Sequence, residues 1–173
     1  MTELADRTVI LILQELAEDL QGPAAALEVT SEDEARLVLR ALLDGYADGD
    51  ARTAQDALPL PRSAAEAIGA GRRLLAAAQR DEDAGPVARA LTQDPPADDQ
   101  LSVEAAAVVV VVLAAMIAFL QTKVSIKIQR DADGTKVEFE LLKRASSDSL
   151  LRTLARLMAD ILRGSGGQGP GPI

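Results

Sequence analysis

Residues Ala105–Leu120 form a run of sixteen uncharged, apolar side chains, five of them consecutive valines. This run constrains the fold more than any other feature of the chain. As an α-helix it is about 24 Å long, short of the roughly 30 Å hydrocarbon core of a bilayer. A helix that is apolar on every side must be covered on every side. The valines favour strand locally, but sixteen residues is the length of a helix. The expectation is therefore a helix buried in protein, with Val109, Val112, Met116 and Phe119 as candidate interface residues toward the rest of the chain or a second copy. The alternative is a membrane-active protein inserting residues 101–121. Extending the run to Leu101 gains length but takes in Ser102 and Glu104.

The segment after Leu120 reads as a β-hairpin and a second helix. Val124, Ile126 and Ile128 alternate with polar residues, as do Val137, Phe139 and Leu141, and Asp131-Ala132-Asp133-Gly134 is the turn between them. Pairing Arg130 with Thr135 puts Ile126 opposite Phe139 and Lys127 opposite Glu138, so both faces agree; a slip of one residue ruins both. Two strands are marginal alone. The final helix is expected to lie beneath them, with Ser147 or Asp148 as its cap. Leu150, Leu151, Leu154, Leu157, Met158, Ile161 and Leu162 line its apolar side, and Gly164 ends it. The Gly-rich residues 164–173 read as a flexible tail.

The first half reads as helices. Val9, Ile10, Leu13, Leu16, Ala17 and Leu20 recur at helical spacing over 4–20, and Gly22-Pro23 supplies a stop. Ser31 and Glu34 have the spacing of a capping box before the stripe Ala35, Val38, Leu39, Leu42, Leu43 and Tyr46. Asp48-Gly49-Asp50 is a turn, a short helix comes next through Ala57, and Leu58-Pro59-Leu60-Pro61 breaks it. Ser63 and Glu66 repeat the capping spacing ahead of a helix over 64–80. Gly69 and Gly71 weaken that helix or allow a close helix contact. Pro86 suits the start of another short helix through Thr92. The predicted fold is α+β and predominantly helical: an acidic helical bundle over 1–93, a linker at 94–100, a helix–β-hairpin–helix unit over 101–163 and a tail.

Charge and composition narrow the chemistry. Residues 1–100 hold 20 acids against 9 arginines, whereas 101–173 hold 7 acids against 9 bases. The acidic front argues against nucleic acid as a partner. The chain has no Cys and no His, which excludes thiolate or imidazole metal sites, a cysteine nucleophile and histidine acid–base catalysis. Asp131, Asp133 and Glu140 share part of a calcium-loop spacing, but Gln129 stands at the first ligand position and strands flank the loop, so a hairpin turn is preferred. Asp81-Glu82-Asp83 reads as a solvated turn. No catalytic, cofactor or metal residue is assigned.

The expected function is a non-enzymatic protein-interaction or oligomerisation module, with another protein as partner and a homo-oligomer as its state. Arg36, Arg40, Arg72 and Arg73 are the candidate partner-binding cations. A metal-dependent hydrolase using only carboxylates is a third reading. The N-terminus lacks the basic start and cleavage site of a secretory signal, so the cytoplasm is the expected location, with membrane association as its alternative. Abundant Ala, Arg, Asp and Gly beside four Lys fit a GC-rich bacterial genome.

Overall fold

The computed structural model describes residues 4–21, 31–46, 60–97, 105–131, 134–141 and 148–164. The predicted stop at Gly22-Pro23, the turn at 48–50, the helix through Ala57, residues 58–59, the end of the linker at 98–100, Ser102 and Glu104, the centre of the hairpin turn, the Ser147 cap and the tail after Gly164 lie outside them. Among the described residues six helices and one antiparallel hairpin make an α+β, predominantly helical fold. They are α1 (Asp6–Gln21), α2 (Glu32–Tyr46), α3 (Ala64–Ala78), α4 (Gly85–Gln93), α5 (Ala105–Gln121), β1 (Val124–Asp131), β2 (Gly134–Leu141) and α6 (Asp148–Arg163).

The all-apolar segment is α5, the centre of the molecule. Helices α1, α3 and α2 pack along it, and β1 packs at its C-terminal end. Val108, Val109, Val112, Leu113, Ala115, Met116, Ile117, Phe119 and Leu120 are all buried among them. Among the side chains of α5 described, Ala107 is exposed and Val110, Val111, Ala114 and Gln121 are partly exposed, all on one side. The chain itself thus covers most of the helix, which is what an apolar circumference demands. Its 17 residues rise about 26 Å, short of a bilayer core. Among the described residues no helix is long and apolar enough to cross a membrane. The described part of the 101–121 segment is shielded by neighbouring helices.

Small residues let the helices close on α5. A Cβ placed on Gly71 of α3 would lie 2.6 Å from Leu13 Cδ1 of α1 and 3.3 Å from Val112 Cγ2 of α5. Gly71 therefore serves the close contact, whereas Gly69 meets only the guanidinium of Arg73 one turn along. Both predicted serine caps form: Ser31 Oγ accepts from Glu34 N at 3.2 Å, and Ser63 Oγ from Glu66 N at 3.3 Å. The Glu66 carboxylate accepts from Arg62 N at 2.9 Å, one residue before the serine. Residues from both sides of the 94–100 segment share one hydrophobic core, so the change in sequence character there is not a division of the core.

The hairpin has the predicted register, with Arg130 opposite Thr135, Ile126 opposite Phe139 and Lys127 opposite Glu138. Its support differs from expectation. β1 rests on α5 and β2 on α2, while α6 packs chiefly on α2 and α3. The reason lies in the two helices' surfaces. α5 has apolar side chains left over for β1, whereas α6 spends its stripe of Leu151, Leu154, Ala155, Met158 and Ile161 inside the bundle. Leu150, at the edge of that stripe, stays 40% exposed. Gly164 ends α6 with φ of 71°, a left-handed conformation that glycine adopts without steric cost.

Candidate functional site

The C-terminal end of α2 and the strand β2 enclose an open groove of about 510 Å³. Burial of Val38, Leu39, Leu42 and Leu43 fixes which side of α2 faces the core. That leaves Ala41 and Gly45, four residues apart, as a low wall on the groove. Nothing lies within 4 Å of where a Gly45 Cβ would stand. Tyr46, the last residue of α2, is half-buried and turns its ring to Phe139 of β2. Their centroids are 6.2 Å apart with the planes at 86°, the edge-to-face geometry that aromatic quadrupoles favour. Two of the chain's three aromatic residues thus meet at one place.

Val137–Glu140 form the opposite wall, and Lys127 of β1 completes the lining. Lys127 and Glu138 stand directly opposite, as the register requires, but their side chains choose other partners. Lys127 Nζ lies 2.5 Å from Glu140 Oε2, diagonally across the ladder, and Lys136 Nζ lies 2.6 Å from Glu138 Oε1 on the same strand. The bond to Glu140 raises the Lys127 pKa, and the bond from Lys136 lowers that of Glu138. The Glu138 carboxylate is therefore held in its ionised form at neutral pH. Water screens these exposed pairs, so they shape the rim of the groove more than they stabilise the fold.

The residues singled out by sequence lie elsewhere. Val109, Val112, Met116 and Phe119 are inside the chain's own core, out of reach of a partner docking on the folded surface. The apolar pattern could not say which atoms would cover them, and intramolecular helices do so. The four arginines do not form one patch. Arg36 bridges Glu32 and donates to the Pro61 carbonyl at 2.8 Å, fastening α2 to the segment before α3. Arg72 bonds Asp6 at 2.6 Å and the Leu4 carbonyl at 2.7 Å, holding the start of α1. Arg73 Nε donates to the Ile161 carbonyl at 2.5 Å in the last turn of α6. Burial lowers the pKa of Arg73. Arg40 alone of the four is exposed.

One polar cluster carries no signature in the sequence. Lys123, between α5 and β1, reaches Asp81 at 2.9 Å and also pairs with Asp83. Asp81 Oδ1 further accepts from the backbone N–H groups of Asp83 and Ala84, each at 3.0 Å. The turn expected to be solvated is thus fastened to the base of the hairpin. Asp-Glu-Asp after a helix signals a turn from sequence, but no local signal points 42 residues on to a lysine. Among the described residues no group of three or more Asp and Glu is placed to hold a metal ion.

The fold and groove define an α+β protein built on a buried central helix, with an aromatic-lined groove at one edge. In comparisons with known proteins no family model matches the chain, and no curated protein or solved structure matches it.

Proposed function

We propose that this protein is a non-enzymatic interaction module that docks another protein in the groove between α2 and β2. The observation that carries the reading is the half-buried Tyr46–Phe139 pair set in an open groove with a charged rim. Protein interfaces concentrate their binding energy in a few aromatic anchors surrounded by polar residues, and this groove has that composition. Its rigid walls are a helix and a strand, which lowers the ordering cost of binding. Its ionisable groups are exposed carboxylates paired with lysines, suited to steering a partner and setting its register.

Site-specific photo-crosslinking tests this. A benzophenone side chain introduced at position 45, in open space on the groove wall, is expected to form a covalent adduct with a protein in the cells that make this chain. The same group at the exposed position 18 on α1 is the control. Phe139→Ala should abolish the adduct at 45. Equal labelling at 45 and 18, or a robust turnover by the purified chain that survives Phe139→Ala, would sink the proposal.

A further inference from the structure

The groove borders residues from both faces of β2. Val137 and Phe139 point to the side of Ile128 and Ile126, their register partners, while Glu138 and Glu140 point to the other side. All four line one hollow. A hollow that touches both faces of a strand runs along its edge. Among the described residues the sheet has two strands, so this edge of β2 carries no third. Half the backbone N–H and C=O groups of an edge strand point away from its partner, the template for adding another strand. Lys127 reaches the same margin through its bond to Glu140.

We infer that the groove takes an extended protein segment as a third strand, with basic and apolar residues alternating. The inference rests on the groove being the docking surface. The charges select the occupant. A strand beside β2 would set residues opposite Glu138 and Glu140 on one face and opposite Val137 and Phe139 on the other. Basic residues complement the first pair and apolar residues the second. Lys136 engages Oε1 of Glu138 and Lys127 engages Oε2 of Glu140, one oxygen of each carboxylate. The acidic first hundred residues, 20 acids against 9 arginines, supply α2 to the groove and draw a cationic segment toward it. On the apolar face, the Tyr46–Phe139 pair offers its ring surface to the inserted side chains.

The test uses the full isotopically labelled chain and a blocked peptide, Thr-Val-Lys-Val-Lys-Val-Thr. Controls are the same composition reordered as Thr-Val-Val-Lys-Lys-Val-Thr and a version with Glu for Lys. The alternating lysine peptide is expected to shift the amide resonances of Gly45, Tyr46 and Val137–Glu140 and to slow hydrogen exchange in β2. It should bind about fivefold more tightly than the reordered peptide, the worth of two cross-strand charge pairs. In Glu138→Lys/Glu140→Lys the preference should pass to the glutamate peptide. Equal binding of both lysine peptides, shifts mapping elsewhere, or no shift at millimolar peptide would overturn the inference. So would concentration-dependent shifts of the same amides without peptide, which would assign the edge to a second copy. An adduct at position 45 together with peptide failure would retire strand addition and leave the interaction module standing.

Discussion

Lys123 Nζ lies 2.9 Å from Asp81 Oδ1, joining the entry of β1 to the turn between α3 and α4. The two side chains are each 18% exposed, so water screens the pair less than the ladder on the hairpin. Burial works against charge on Lys123, but its bonds to Asp83 and Asp81 outweigh it and raise the pKa. Burial likewise opposes charge on Asp81, but the Ala84 amide, Lys123 and the Asp83 amide together lower its pKa. Replacing Lys123 by Met should cost about 1–2 kcal/mol, between the worth of an exposed and a buried pair. Chemical denaturation at neutral pH measures it, and faster amide exchange at the start of β1 should accompany it.

Acid titration checks the same cluster independently. A carboxyl whose folded pKa lies below its unfolded value contributes stability above the unfolded value and loses it as pH falls through the folded one. Melting temperature should therefore decline below the usual carboxylate pKa, near 3.8 for Asp81. In Asp81→Asn the decline should be shallower. An unchanged acid slope in that variant would rule out a contribution from Asp81. Lys123 carries the opposite sign: its contribution is complete below the ordinary lysine pKa of 10.5 and disappears as pH rises through the raised value.

Two glycines should respond in opposite directions. Gly45 lies in the last turn of α2 with open space beside it, and Gly45→Ala should gain about 0.5–1 kcal/mol through backbone entropy. Gly71→Val should lose about 2–3 kcal/mol, because its Cβ meets Leu13 and Val112 and a branched side chain must then push α1 and α5 apart. Urea midpoints of the pair decide it.

Arg73 ties α3 to the end of α6 by donating to the Ile161 carbonyl, beside the left-handed Gly164. A cation at a helix C-terminus also opposes the negative end of the helix dipole. Arg73→Met keeps much of the aliphatic packing and removes the donor, so about 1–2 kcal/mol should be lost. Hydrogen exchange should quicken selectively over the last turn of α6. Uniform change across all helices would contradict a capping role.

Met116→Ala removes a fully buried side chain from the middle of α5 and should cost about 2–5 kcal/mol. Because the neighbouring atoms belong to the same chain, that loss should be the same at low and high protein concentration. A penalty that grows with dilution would instead indicate that a second copy covers α5.

Local patterns were legible because each rests on interactions within a few residues. Helical spacing located α1, α2 and α6, serine spacing located two caps, and alternation fixed the hairpin register to the residue. The burial of α5 was legible too, since an apolar circumference admits few solutions. Its covering was not. Periodicity shows that Val112 and Met116 need neighbours without saying that α1 and α3 provide them. For the same reason the last helix was expected under the hairpin, although α2 and α5 fill that place. The groove was hidden in a further way. Tyr46 and Phe139 each read as members of an apolar stripe, and their meeting depends on where two stripes end.

The position of α5 along the chain also has a temporal consequence. Its partners α1, α2 and α3 leave the ribosome first, with side chains such as Leu13, Leu42 and Leu74 destined for the common core. At roughly 5–20 residues per second, those helices wait for seconds before the helix they enclose is translated. Until then the nascent chain displays greasy helical faces with nothing to close upon, an invitation to chaperones that ends only when the valine stretch arrives.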